Sequence, residues 1–394
     1  MRKLMIALLI TAGAAGAQWR TIAELNTPRY GAAALVSGDS ILVIGGLTSM
    51  AHHGLRALNS VEVFHPWETS WRYGVPLPES LAFAGAGLMD GKIFVFGGFK
   101  GTDELSNRIY AFDEDSGSWT LWDTMPFPAA AFSLVAVNGN FYILGGWEIA
   151  RGIYNPWILK YEPFSGEWDT LTFPEWMPRV SMGSGTFRDT VLLFGGFYIG
   201  QVDWVSLFDG SSVQHIDNLP IPLSGTAVTV DSTGQFYVIG GFQSVVPTNR
   251  CWRYDPGSLS WQELPELPSG IGYASSVFYT YGGKGYVFVI GGKHRRHAVN
   301  EVRVLLTQSV SENEVEPDPG FDVRVPVPLR NAALIRVTSD TFGTMEVFDA
   351  SGRLVRIYRI HSGVNVLRWD THDLPSGIYI YRFRHRTGKW LYLR

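Results

Sequence analysis

A short apolar run closed by two glycines recurs six times along the chain. It reads ILVIGG (41–46), IFVFGG (93–98), FYILGG (141–146), VLLFGG (191–196), FYVIGG (236–241) and VFVIGG (287–292). Aromatic and β-branched residues suit each run to a buried strand, and the paired glycines permit a turn or close backbone approach that a Cβ would block. Successive second glycines are 52, 48, 50, 45 and 51 residues apart, the length over which one four-stranded propeller blade repeats. The pattern predicts an all-β, six-bladed β-propeller.

Each double glycine is followed by a variable loop and then a strand ending in an aromatic: VEVF (61–64), IYAFD (109–113), ILKYEP (158–163), VSLFDG (205–210) and CWRYDP (251–256). Trp71, Trp119, Trp168 and Trp261 then open a fourth strand, and proline-rich turns lead into the next copy. This succession resembles the kelch repeat, whose pattern is a double glycine, a tyrosine and a tryptophan on successive strands, and it covers residues 18–306. The fourth copy has Val213 or a neighbour where the tryptophan belongs, which predicts a looser outer strand there. The sixth copy ends with its third strand (301–306) and lacks a tryptophan strand of its own. Trp19, in the stretch 18–25, supplies one at the other end of the chain, so 18–25 is expected to complete blade six and to close an edge that would otherwise be open.

The stretch 308–320 carries acidic residues and prolines with few apolar positions and reads as a linker. Strand-like alternation resumes over 321–394, with turns at Ala350-Ser351-Gly352, Ser362-Gly363 and Pro375-Ser376-Gly377, which predicts a small immunoglobulin-like β-sandwich. The residues VFDASGRLV (347–355), Trp369-Asp370, LPSGIYIYR (374–382) and the terminal 389–394 resemble the type A C-terminal sorting domain of type IX secretion. That resemblance implies Sec export, passage across the outer membrane, contact of 321–394 with the secretion machinery, and release from or attachment to the cell surface. At the other end, Met1-Arg2-Lys3, an apolar core to about Ala14 and the small residues Ala15-Gly16-Ala17 read as a signal peptide (1–17) too short to span a bilayer comfortably. The mature chain is then expected to have no transmembrane segment, with a propeller over 18–307.

Composition agrees with a β protein and narrows the partners. Among 394 residues, 44 are glycine and 14 tryptophan, only 17% are charged, and no helical periodicity follows the N-terminus. A net charge of −4 gives no support to a nucleic-acid partner. The one cysteine, Cys251, excludes an intramolecular disulfide and reads as a buried small hydrophobe.

In kelch propellers, ligands usually sit at one mouth of the central channel. The residue after each double glycine is Leu47, Phe99, Trp147, Phe197, Phe242 or Lys293. Four aromatics at one repeated position would either stack on a ligand or pack between blades. Arg29, Arg56, Lys293, Arg295 and Arg296 would supply charge across the seam of blades six and one, where His52, His53, His294 and His297 also converge. No fixed ligand spacing marks a metal there, and neither metal nor cofactor is expected. Asp103, Glu104, Glu148 and Asp203 fall in the equivalent loops of blades two to four, where carboxylates opposite cations would support acid and base work. Galactose oxidase-like relatives of the fold need a cysteine crosslinked to a tyrosine, which the strand position of Cys251 disfavours. The leading expectation is a secreted or surface binding module for an extracellular glycan or protein. The alternative is an exported enzyme on acidic sugars, similar to the sialic acid mutarotases.

Overall fold

The computed structural model describes residues 18–50, 54–101, 104–113, 116–148, 153–172, 178–187, 190–281, 284–307, 321–324, 332–339, 343–349, 353–361, 363–370, 377–383 and 386–392. The signal peptide and the linker read from the sequence lie outside these residues, as do His52, His53 and Asp103. Two compact units divide the chain, 1–310 and 311–394.

The first unit is six antiparallel four-stranded sheets. In blade three the strands run in sequence order from the inside outwards: Ser133–Val137, Asn140–Leu144, Ile158–Glu162 and Glu167–Leu171. Blades one, two, four and five repeat this order. Their inner strands are Ala33–Ser37, Gly85–Met89, Gly183–Phe187 and Ala227–Val230. Blade six takes Ser275–Tyr281, Lys284–Ile290 and Val302–Leu306 from the end of the repeats and Arg20–Thr21 from the start, with Arg20 opposite Val304 and Thr21 opposite Arg303. The six inner strands touch one another in a closed circle, blade six meeting blade one.

The double glycines fasten each blade to the next. The Gly46 N–H donates to the Leu81 carbonyl at 2.8 Å, and the same bond recurs from Gly98, Gly146, Gly196, Gly241 and finally Gly292, which reaches Arg29 and closes the circle at 2.7 Å. At the first glycine a Cβ has no room, because on Gly45 it would lie 2.1 Å from the Leu81 carbonyl oxygen. Outer-strand tryptophans make a second tie, their indole N–H groups donating to carbonyls of the preceding blade. Trp19 donates to Pro265, Trp71 to Ala23 and Trp119 to Val75, at 2.8 to 3.2 Å.

Apolar side chains fill the wedge between every pair of neighbouring blades, so the core is six separate clusters. Between blades two and three, for instance, Phe94 and Phe96 meet the Phe141 ring edge-to-face at 5.3 and 5.0 Å. Truncating such a ring to alanine costs about 3–5 kcal/mol. The outer strand of blade four is not loosened by its missing tryptophan. Val213–Asn218 pairs along Trp204–Phe208, and Val213, opposite Phe208, is buried with Tyr142 of blade three, which fills the space an indole would take. The short outer strands are those of blade one, where only Arg72–Tyr73 pairs, and of blade six, where Arg20–Thr21 does.

The second unit has two antiparallel sheets. One joins Phe321–Arg324, Ala332–Ser339 and Gly363–Asp370, and the other orders Leu354–Ile360, Gly343–Asp349, Gly377–Phe383 and Arg386–Tyr392. They share a small core in which Val337 of the first sheet meets Met345, Val347, Ile360 and Phe383 of the second.

Candidate functional site

Where each blade begins, one residue turns the chain into left-handed backbone: Gly31, Phe83, Ala131, Ser181, Gly225 and Tyr273, with φ between 53° and 64°. Their peptide groups form a second closed circle, now around the axis. The N–H of each donates to the carbonyl of its counterpart in the preceding blade, Gly31 receiving from Phe83 and donating to Tyr273, at 2.7 to 2.9 Å throughout. Satisfying these peptide groups blade by blade holds four non-glycine residues in a conformation that costs an L-residue about 1–2 kcal/mol. Their side chains decide what the mouth contains.

Next to each ring residue stands an isolated bridge to the residue after a double glycine: Tyr30 with Leu47, Ala82 with Phe99, Ala130 with Trp147, Val180 with Phe197, Ser224 with Phe242 and Gly272 with Lys293. The two registers, far apart in sequence, thus face one mouth. On one side, Tyr30, Phe83, Tyr273 and Phe242 pack as an aromatic cluster with centroids 5.0 to 6.3 Å apart. Burial pushes the Tyr273 hydroxyl above the ordinary phenol range, against a hydrogen bond with Ser181. On the other side, over Ala131 and Ser181, a cavity of about 720 Å³ opens, lined by Leu47, Phe83, Phe99, Leu105, Ala130, Trp147, Tyr154, Val180 and Tyr273. Concave, mostly apolar walls with a few hydroxyls are the form of a ligand pocket.

Of the expected aromatics, Phe99 and Trp147 line this cavity, and Trp147 is 44% exposed at its edge. Phe197 stands beside it, edge-on to Tyr154 at 6.5 Å. Phe242 is buried behind Tyr273, so there the packing reading holds. The cations are scattered. Arg29 is 1% exposed and its guanidinium donates to Gly45, Ser60 and Glu62, the last at 2.5 Å. Burial pulls its pKa down against the attraction of Glu62. Arg29 is therefore a strut between blades six and one and not a ligand contact. Lys293 places its ammonium 5.2 Å from the Tyr30 ring. Arg295 and Arg296 are exposed at the tip of the blade-six hairpin, which touches the blade-one hairpin that carries the exposed Arg56. His294 donates Nδ1–H to the Gly270 carbonyl at 2.7 Å, and no described group of histidine, cysteine and carboxylate residues could hold a metal. Glu104, Glu148 and Asp203 do not line the cavity. Cys251 is buried, its thiol pushed up to about 12 by desolvation.

Sequence reasoning missed the ring residues and Tyr154. A signal exists for the former: Gly31, Phe83, Ala131 and Ser181 each stand 15 residues before the second glycine of their copy. Tyr154 lies in a variable loop and carries none.

Residues 14–196 match the KLHDC2/KLHL20/DRC7 Kelch-repeats domain, 226–268 the Kelch motif, and 325–391 the secretion system C-terminal sorting domain. The chain is a kelch-repeat β-propeller with a type IX sorting tail. It is similar to Kelch-like protein terF of Aspergillus terreus (25% identical over 70% of this chain and 64% of that one) and to Spermatocyte protein spe-26 of Caenorhabditis elegans (24% over 64% and 44%). Kelch-like protein 35 of Mus musculus is 27% identical over 59% of this chain and 39% of its own length. The chain thus spans well under two thirds of the length of two of these relatives and just under two thirds of the first. Among solved structures, that titled "Structure of YjhT" superposes with a TM-score of 0.61 at 16% identity, over 74% of this chain and 98% of that one.

Proposed function

We propose that this is an exported binding module that takes an extracellular glycan or protein into the cavity at the propeller mouth. The observation that carries the reading is the cavity over Ala131 and Ser181, walled by Phe83, Phe99, Trp147 and Tyr154, on a scaffold whose two closed circles of backbone bonds hold it rigid. Rigid aromatic walls bind with little ordering cost. The sorting tail suggests secretion or surface attachment, and the basic, apolar start of the chain supports Sec export as its first step. No described helix is long and apolar enough to cross a membrane. The acidic-sugar enzyme has no specific observation behind it, because no arginine, lysine, histidine or carboxylate is among the described residues lining the cavity.

The test is an array of glycans and peptides probed with the full mature chain, followed by titration of whatever is retained. Trp147→Ala weakens binding by about 1 to 3 kcal/mol if the indole is a desolvated anchor. Arg295→Ala, at the exposed hairpin tip, mainly alters the association rate and its salt dependence. A ligand that binds both variants as it binds the wild type removes the mouth as the site.

A further inference from the structure

We infer that the mouth cavity is the seat of an aromatic side chain presented by a protein partner, and that Ser181 is the residue that keeps the seat open. This deepens the mouth-binding reading and rests on it. Around the axis the six ring side chains alternate small and large with one break. Phe83 lies across Gly31, so that a Cβ on that glycine would stand 2.6 Å from its ring. Tyr273 lies across Gly225 in the same way, also at 2.6 Å. Each ring covers the small residue of the blade before it. The third pair, Ala131 and Ser181, sets small on small, and the place a third ring would take is the floor of the cavity.

What fits that place follows from its walls. Phe83, Phe99, Trp147 and Tyr154 offer ring faces and edges to a flat guest, the arrangement aromatic groups favour at centroid separations of about 4.5–7 Å. Among the described residues the polar side-chain groups of the lining are the hydroxyls of Ser181, Tyr154 and Tyr273 and the indole N–H of Trp147, while Leu47, Leu105, Ala130, Ala131 and Val180 supply only carbon from their side chains. A sugar would bury several hydroxyls against that carbon without partners, whereas a phenyl or indole would not. Exposed apolar side chains on other loops of the same mouth indicate that the ring arrives on a polypeptide. Ile199, Val245 and Val246 are 86%, 87% and 63% exposed on the mouth loops of blades four and five, which are joined by the Gln201 amide donating to the Ser244 carbonyl. A small molecule on the cavity floor leaves those side chains in water, and a protein surface covers them.

The experiment titrates the full mature chain, labelled at alanine methyls, with N-acetyl-tryptophanamide up to about 10 mM, which covers the millimolar affinity open to a ring-sized fragment. Saturable binding with an upfield ring-current shift of the Ala131 methyl is expected. The double variant Ala131→Gly with Ser181→Tyr recreates the Gly225 and Tyr273 pair, should fold with at least the wild-type thermal midpoint, and should lose the amide. If that variant fails to fold, the wild-type methyl shift still decides. A Gly-Gly-Trp-Gly-Gly peptide should bind at least about tenfold tighter than its leucine counterpart. No saturable amide binding, an unmoved Ala131 methyl, or equal binding of the two peptides overturns the inference. If methyl β-galactoside binds instead and Trp147→Ala abolishes it, the mouth reading stands and the aromatic seat falls. If a bound probe ignores both Trp147→Ala and the double variant, the mouth reading falls too.

Discussion

Ala131 and Gly225 hold the same left-handed backbone in the same hydrogen-bonded circle, yet substitutions at the two should act in opposite directions. Ala131 bears the steric cost of a Cβ at φ 57° with no ring packed over it. Ala131→Gly removes that cost, which outweighs the freedom it gives the unfolded chain, so it should stabilise the protein by up to about 1 kcal/mol. At Gly225 a Cβ would stand 2.6 Å from the Tyr273 ring, and Gly225→Ala should cost about 1–3 kcal/mol by crowding a packed cluster. Denaturant unfolding of both variants checks this, and shifts of the same sign would remove the packing account of the ring. The spacing to the double glycine marks Ala131 and Ser181 as equivalent positions, but nothing local shows that their neighbours around the circle include Phe83 and Tyr273.

Among the blades, the sixth depends on residues far apart in the chain. Beyond the two-residue strand, the Ile22 and Leu25 N–H groups donate to Val302 and Asn300, and the Trp19 indole is buried against blade five. Deleting 18–25 removes this outer strand, the indole and its tie to Pro265 together. The thermal midpoint of the propeller should fall by many degrees, since loss of a buried tryptophan alone costs about 3–5 kcal/mol. An unchanged midpoint would mean that the closure contributes nothing. This pairing was legible because the tryptophan strand is counted, absent after 306 and present at 19. Blade four misled for the converse reason. A missing tryptophan signals a gap only if nothing else fills it, and Tyr142 comes from another blade.

At the scale of the whole molecule, two compact units with separate cores imply separable tasks. Residues 321–394 fused to an inert exported protein should carry it to the surface of a host with type IX secretion, while the propeller without them keeps its thermal midpoint. Retention of the fusion in the periplasm counts against the tail as an address. The sequence by itself determined the architecture and the tail, because both are written in repeats and turns whose spacing is fixed by strand length and by glycines that no other residue can replace. The tertiary structure alone decided the site. Ring closure sets blade six beside blade one, turns Arg29 inward as a strut, packs Phe242 behind Tyr273 and leaves the opening over Ala131 and Ser181. The physical reason is that a cavity is a property of what neighbouring blades fail to fill, and a periodic pattern records each blade's own side chains but not the space left between them.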